Sequence, residues 1–182
     1  MISSSSNSIE YLLGILYSND LFLEMPVIYL WFIPTLFLTE IAFYVLRKYI
    51  KDDYKLFLTI VLLGIIGYVN SLSPYTFNGI WHFETVFISI LFYYAGYMFR
   101  KYMFKFKKIF DSKSKSFIIG LLLIAVGIFT MYNNNYVSLY VNSYGSLVLF
   151  IISSFSTILA TIIFTRLLFK KDYVFKVIGK NS

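Results

Sequence analysis

The chain has 182 residues, of which 59% are hydrophobic and 14% charged, and its formal net charge is +7. Soluble domains carry about 25% charged residues, so this composition excludes an ordinary soluble domain and predicts a polytopic membrane protein. The absence of cysteine excludes a disulfide framework and a cysteine metal site, and a single histidine argues against a metal centre built on imidazoles.

The positive charge is distributed in a pattern that indicates membrane topology. All sixteen Lys and Arg residues fall within segments 47–55, 100–115 and 166–180, and the rest of the chain has none. The positive-inside rule places these three segments in the cytoplasm. We therefore expect anionic lipid to neutralise the basic residues, and we expect no nucleic acid partner.

The apolar segments between these basic groups predict an all-α fold, a polytopic membrane helix bundle in a single membrane domain. A helix of about 20 residues reaches roughly 30 Å, the thickness of the hydrocarbon core. The five predicted transmembrane helices are 27–46, 56–72, 80–99, 117–132 and 146–169. The N-terminus then lies outside the cell membrane, and the C-terminus is cytoplasmic.

The segment before the first span, residues 1–26, has apolar pieces too short to cross a bilayer and no basic n-region of a signal peptide. We predict an interfacial helix or loop there, on the non-cytoplasmic side. The first span carries Pro34 and Glu40 and ends at Arg47. An ionisable group within a span is costly and usually faces a partner or a water-filled cavity.

Glu40 and Arg166 form a hypothetical structural ion pair. Glu40 lies seven residues before the first basic cluster and Arg166 four residues before Lys170, which places both in the cytoplasmic half of the membrane. The alternative is that Arg166 extends to the interface and Glu40 is protonated or hydrogen-bonded.

The second span contains Gly64 and Gly67, whose small size favours close packing with a neighbouring helix. The linker 71–79 has Pro and Asn-Gly turn chemistry and is predicted to be external. The loop 100–116 is predicted to be cytoplasmic, the polar loop 133–145 external and the tail 170–182 cytoplasmic.

The third span opens with Trp81-His82-Phe83-Glu84, the only place where an imidazole and a carboxylate lie close in sequence. His82 and Glu84 are the candidate catalytic residues, since histidine is the side chain best suited to proton transfer near neutral pH. On a helix, positions i and i+2 point about 200° apart, so the two form a pair only if this segment begins in a non-helical conformation. The alternatives are an interfacial Trp-His pair wetted by headgroups and a role in binding a polar acceptor.

Several motifs resemble those of the acyltransferase 3 family, integral membrane O-acyltransferases that modify cell-surface sugars. Tyr29-Leu-Trp-Phe-Ile-Pro-Thr-Leu-Phe37 is similar to the Leu-Trp-Phe-Leu-Pro-Ala-Leu-Phe segment of the family. Ile80-Trp-His-Phe-Glu84, followed by Phe92-Tyr-Tyr-Ala-Gly-Tyr97, resembles a helix of its fucose 4-O-acetylase-like branch. Val177-Ile-Gly-Lys-Asn-Ser182 is similar to the segment that leads into the last helix of the family.

The resemblance implies transfer of an acyl group, commonly acetyl from acetyl-CoA or another acyl-CoA, to a hydroxyl of a surface polysaccharide or its precursor. Its partners are then the lipid bilayer and a glycan acceptor. Trp31 and Trp81, the tryptophans of the matching motifs, are the candidates for substrate binding. The basic stretch 100–115 is either a contact for CoA or a solvated topology signal.

The resemblance also implies a fold of roughly ten helices, with a proposed catalytic histidine near a first helix that has no match here. An outside N-terminus without an export signal agrees with this. We therefore expect the chain to be a fragment, truncated at both ends and inactive alone. The alternative is a non-enzymatic polytopic membrane protein: a transporter or flippase fragment, or an inactive truncated product.

Overall fold

The structure, a computed structural model, describes residues 31–73, 80–110 and 112–168, and these ranges contain five α-helices and no named strand. The helices are α1 (Phe32–Tyr49), α2 (Asp53–Ser71), α3 (Phe83–Phe110), α4 (Lys113–Tyr132) and α5 (Leu147–Leu168). A short 3-10 turn at Ile80–His82 precedes α3. The all-α prediction is confirmed. The predicted interfacial segment 1–26, the last part of linker 71–79 and the tail 170–182 lie outside the described residues.

Three of the five helices, α2, α4 and α5, are long and apolar enough to cross a membrane. They coincide with the predicted spans 56–72, 117–132 and 146–169. The 18 residues of α1 include Glu40, Arg47 and Lys48, and α3 continues through basic residues. Membrane crossing by α1 and α3 therefore stays a prediction.

The third helix is longer than the third predicted span, because α3 runs on to Phe110. The predicted loop 100–116 is therefore largely helical within the described residues. Basic residues end a hydrophobic span without ending a helix, and residues 97–110 contain neither glycine nor proline.

The chain forms two compact units. The first contains α1, α2, α3 as far as Arg100, and the segment Ser138–Tyr144; the second contains Lys101–Val137 and the chain from Gly145. In the first unit, Phe43 of α1 packs into a core with Leu56, Ile60 and Ile90. Tyrosine rings of α3 pack around Phe43, with the Tyr93 centroid 4.9 Å away. This core fixes the distance between α1 and α3.

Two glycines bring α2 and α3 together. A Cβ atom at Gly64 would lie 2.5 Å from Leu91 Cδ1, and one at Gly67 would lie 2.7 Å from Phe87 Cβ. The predicted role of these glycines in close helix packing is confirmed.

The connection between α1 and α2 is held by polar side chains at its basic end. Arg47 Nη1 lies 3.0 Å from Asp53 Oδ1 and donates a 2.8 Å hydrogen bond to the Lys51 carbonyl oxygen. Asp52 caps α2, since its carboxylate accepts hydrogen bonds from the Tyr54 and Lys55 amides. These two hydrogen bonds hold the pKa of Asp52 below its ordinary value.

In the second unit, α4 and α5 pack as a close pair. A Cβ atom at Gly120 would lie 2.8 Å from Phe164 Cε2, and one at Gly127 would lie 2.8 Å from Thr157 Cγ2. Small residues let the two backbones approach, which is the usual way that membrane helices associate.

Candidate functional site

A left-handed turn lies immediately before α3. Trp81 has φ 62° and ψ 25°, and His82 has φ 50°. Large side chains rarely adopt this conformation, which costs about 1–3 kcal/mol per residue and persists only where the surroundings hold it in place. Strain of this kind is concentrated at functional sites, so the turn indicates a candidate functional site.

Helix α1 supports this turn through Thr35. The Thr35 hydroxyl lies 2.9 Å from the Trp31 carbonyl oxygen and 3.1 Å from the Trp81 carbonyl oxygen. Thr35 is 2% exposed, so its contact with Trp81 lies in the interior of the first unit. A buried hydrogen bond between elements far apart in sequence helps to offset the cost of the left-handed conformation.

The turn brings His82 and Glu84 together. His82 Nδ1 lies 3.4 Å from Glu84 Oε1, and both residues are 4% exposed. A regular helix would direct the two side chains to different faces, and the left-handed backbone at His82 removes that obstacle. The segment therefore begins in a non-helical conformation, which is the condition for a His82–Glu84 pair. The alternative of an interfacial His82 wetted by lipid headgroups does not fit its burial.

Such a pair is suited to proton transfer. A carboxylate beside one ring nitrogen orients the imidazole and stabilises the imidazolium that forms when the other nitrogen accepts a proton. In His82 the nitrogen that faces Glu84 is Nδ1.

Two aromatic rings enclose the imidazole. The centroid of the His82 ring lies 5.4 Å from that of Trp31 and 5.2 Å from that of Tyr140. The Trp31 and Tyr140 centroids are 6.0 Å apart, so the three rings pack against one another. Trp31, a candidate for substrate binding, thus contacts the candidate base directly.

Tyr140 belongs to a short segment, Ser138–Tyr144, which we name the strap. The strap is closed by backbone hydrogen bonds of 2.8 and 2.9 Å between Ser138 and Ser143. It is attached to α3 by the Thr85 hydroxyl, which donates a 3.1 Å hydrogen bond to the Leu139 carbonyl oxygen. Because Thr85 follows Glu84, the strap and the pair are positioned by the same turn of helix.

Tyr144 anchors the end of the strap. Its side chain is 1% exposed, and its hydroxyl donates a 2.7 Å hydrogen bond to Asn142 Oδ1. Burial raises the pKa of Tyr144 well above its ordinary value; a hydrogen bond with Thr85 opposes this rise and a Glu84 charge adds to it. Tyr144 therefore remains a neutral hydrogen-bond donor.

Trp81, Glu40 and Arg166 are the remaining candidate residues. Trp81 is 38% exposed, and its part in the cluster is to supply the strained backbone rather than a buried ring. Glu40 is exposed on α1 and Arg166 is exposed on α5. These two residues belong to different compact units, and the Glu40–Arg166 ion pair stays a prediction. Within the described part of the chain, no group of three or more metal-ligating side chains comes together.

The sequence did not indicate Thr35, Thr85, Tyr140 or Tyr144 as parts of this cluster. The two tyrosines lie in a loop with no periodic pattern, and the two threonines resemble ordinary helix-packing residues. Only the external placement predicted for loop 133–145 indicated that this segment could lie near the outer end of the third span.

These features define an integral membrane protein with a buried imidazole–carboxylate pair at one end of a helix. A family model described as the acyltransferase domain, acyltransferase 3, matches residues 3–182. The chain therefore belongs to the acyltransferase 3 family, as its motifs indicated, and it is a membrane acyltransferase in general class. Comparison with curated proteins and with solved structures gives no significant match.

Proposed function

We propose that the chain forms part of a membrane O-acyltransferase that transfers an acyl group, acetyl in the simplest case, to a hydroxyl of a cell-surface polysaccharide or its precursor. The donor is an acyl-CoA. The observation that supports this most strongly is the His82–Glu84 pair, held at 3.4 Å by a left-handed turn. Strain and a buried base–carboxylate pair in one place are typical of a catalytic site.

The chemistry needs a base for the acceptor hydroxyl. In this proposal the His82 imidazole accepts the hydroxyl proton while the acceptor oxygen attacks the thioester carbonyl carbon. The new C–O bond forms, the C–S bond breaks as the tetrahedral oxyanion collapses, and the CoA sulfur leaves with the proton from His82. Glu84 stabilises the imidazolium in between.

The direction of the helices supports an external glycan. Basic residues lie at the C-terminal end of α1 and beyond Phe99 of α3, so the start of α3 lies at the opposite end from the predicted cytoplasmic side. The strap lies in the loop predicted to be external. In this orientation the His82–Glu84 pair lies on the side of a surface polysaccharide, and the thioester of the acyl-CoA has to reach it from the cytoplasmic side.

A second candidate is a structural role in a chain without activity of its own. The burial of His82 and Glu84, both 4% exposed, favours it, because a buried pair of this kind can simply lock a turn in place. Activity and stability separate the two candidates, since a structural pair affects transfer only through the amount of folded protein.

The proposed function is tested by deleting the gene in the organism that makes the protein. Ester-linked acyl groups are then released from purified surface polysaccharide by mild alkali and quantified by mass spectrometry. We expect one acyl ester to disappear on deletion and to return on complementation. An unchanged ester content on every surface polysaccharide would contradict the proposal.

A further inference from the structure

An apolar cavity of about 290 Å³ lies in the first unit, beside the left-handed turn. Its walls come from α1, α3 and the strap. Trp31, Thr35 and Thr39 contribute from the α1 side, Ser89 and Tyr93 from α3, and Leu139 from the strap. Trp31 and Thr39 are eight positions apart, which corresponds to about 12 Å along a helix, so the cavity extends over two turns.

Three residues of the cavity wall also belong to the surroundings of the His82–Glu84 pair. Trp31 lines the cavity and its ring contacts that of His82. Thr35 lines it and bonds to the Trp81 carbonyl, and Leu139 lines it and accepts the hydrogen bond from Thr85. His82 and Glu84 do not line the cavity themselves, but three residues of its wall contact His82, the left-handed turn or Thr85.

The cavity wall suits hydrocarbon better than water. Among the described residues that line it, none carries a charge. The Thr35 hydroxyl donates to backbone carbonyls, and the Thr39 hydroxyl donates to the Thr35 carbonyl at 2.7 Å. A buried water needs two to four polar partners, and this wall offers few of them.

The volume exceeds what an acetyl group needs. The space of about 290 Å³ is several times the roughly 30 Å³ share of one water molecule, so it has room for more than a two-carbon group. Burial of a methylene group contributes about 0.8 kcal/mol, so each methylene group of an acyl chain that enters the cavity favours binding.

We propose that this cavity binds the hydrocarbon chain of the acyl group that the enzyme transfers, so that medium-chain acyl groups are accepted as donors. The proposal rests on the proposed function and extends its donor range beyond acetyl. The hydrocarbon chain of the acyl group points away from the reacting carbonyl and takes no part in the bond changes at His82.

The charge distribution favours an acyl chain over the isoprenoid tail of a lipid-linked acceptor. Such an acceptor carries a phosphate or diphosphate next to its tail, which proteins usually bind with Lys or Arg. Residues 1–46, 56–99 and 116–165 contain no Lys or Arg, and every residue that lines the cavity falls in these ranges. The phosphates of an acyl-CoA lie at the far end of its pantetheine arm from the thioester, so its acyl chain needs no Lys or Arg beside it.

The test is photo-crosslinking of the purified protein in lipid nanodiscs with a decanoyl-CoA that carries a diazirine near the end of its chain. We expect labelled peptides from the cavity wall of α1 and α3. Unlabelled decanoyl-CoA should reduce this labelling at least fivefold, and more strongly than an equal concentration of CoA or acetyl-CoA, which share the CoA part of the donor but lack the decanoyl chain. Labelling that decanoyl-CoA does not displace, or that farnesyl phosphate displaces instead, would overturn the proposal.

Leu36 and Leu58 provide a matched pair of variants. Both leucines lie on the surface of the first unit, at 47% and 48% exposure, but only Leu36 lines the cavity. Leu36→Trp should reduce competed labelling at least fivefold and Leu58→Trp should leave it unchanged; equal effects would count against the cavity. Leu36→Phe serves as a milder second variant, with thermal unfolding measured for all three.

Photo-labelling of the cavity does not require acyl transfer. A failure of the cavity proposal can therefore be distinguished from a failure of the proposed acyltransferase function. His82→Gln should abolish transfer and leave competed labelling in place. Competed labelling in a protein that never transfers an acyl group would contradict the proposed function alone. Acetyl transfer without competed labelling would contradict the cavity assignment alone.

Discussion

The Thr35 hydroxyl on α1 donates a 3.1 Å hydrogen bond to the Trp81 carbonyl oxygen, which lies in the left-handed turn before α3. This contact joins two of the segments that carry the family motifs. It also places the wall of the apolar cavity next to the backbone that positions His82. The turn, the cavity and the His82–Glu84 pair therefore share one support.

Thr35→Val should loosen this support. Valine keeps the shape of threonine but removes the donor, so we expect a loss of about 0.5–1.5 kcal/mol in the free energy of unfolding and a lower acyl-transfer rate. Thr35→Ser restores the hydroxyl and should recover most of both. Thermal unfolding and transfer rate are measured on the same preparations. If the valine variant matched the wild type in both, the support by Thr35 would be unimportant.

Substitution by alanine should have opposite effects on stability at Gly67 and at Gly96. A Cβ atom at Gly67 meets Phe87 Cβ at 2.7 Å, whereas one at Gly96 meets no atom within 4 Å. Gly67→Ala should destabilise the protein by about 1–3 kcal/mol through overpacking between α2 and α3.

Gly96→Ala should be neutral or stabilising by up to about 1 kcal/mol, because alanine favours a helix more than glycine does. Thermal unfolding in one membrane mimetic compares the two variants directly. Equal shifts for both would show that α2 and α3 do not approach each other as closely as the structure places them.

The cap on α2 should depend on pH. Two backbone hydrogen bonds lower the pKa of Asp52 below its ordinary value of 3.8, so the carboxylate stabilises the folded cap above that pH. This stabilisation is lost as the pH falls through the lower pKa of the folded state. We expect hydrogen exchange of the Tyr54 and Lys55 amides to accelerate in acid in the wild type.

Asp52→Asn is the control, because asparagine also caps helices but does not titrate in this range. After correction for the intrinsic pH dependence of exchange, its amides should show no acid-induced change. An identical acid response in Asp52→Asn would mean that another group controls the end of α2.

The Glu40–Arg166 ion pair is tested by cross-linking, which is simple because the chain has no cysteine. Cysteines at positions 40 and 166 should form a disulfide in oxidised membranes. Cysteines at 41 and 166 form the matched control, since Ile41 is likewise exposed but lies about 100° further around α1. Failure of the 40–166 pair to cross-link would remove the ion pair from the account.

Three apolar segments predicted to be helical agree with α2, α4 and α5, because about twenty consecutive apolar residues strongly favour one membrane helix. The predicted loop 100–116 was wrong over most of its length, because α3 continues through Arg100 and Lys101 to Phe110. Close packing at Gly64 and Gly67 was predictable from residue size alone.

The His82–Glu84 pair was only half predictable. The two residue types and their spacing are visible in the sequence, but their contact depends on a left-handed backbone at Trp81 and His82 that no periodic pattern reveals. Tyr140 and Leu139 reach the site through a contact between the strap and α3 that spans 54 positions at Thr85. Contacts over such distances follow from the folded chain and leave no local signal.

The most direct test of the central claim is the acyl-transfer turnover of His82→Gln in native membranes, normalised to the amount of folded protein. Loss of a general base typically reduces a rate by about 10²–10⁴-fold, and we expect a decrease in that range. Glu84→Gln should lower turnover less, because it removes only the support of the imidazolium. Turnover of His82→Gln within threefold of the wild type would contradict the claim that this pair carries the chemistry.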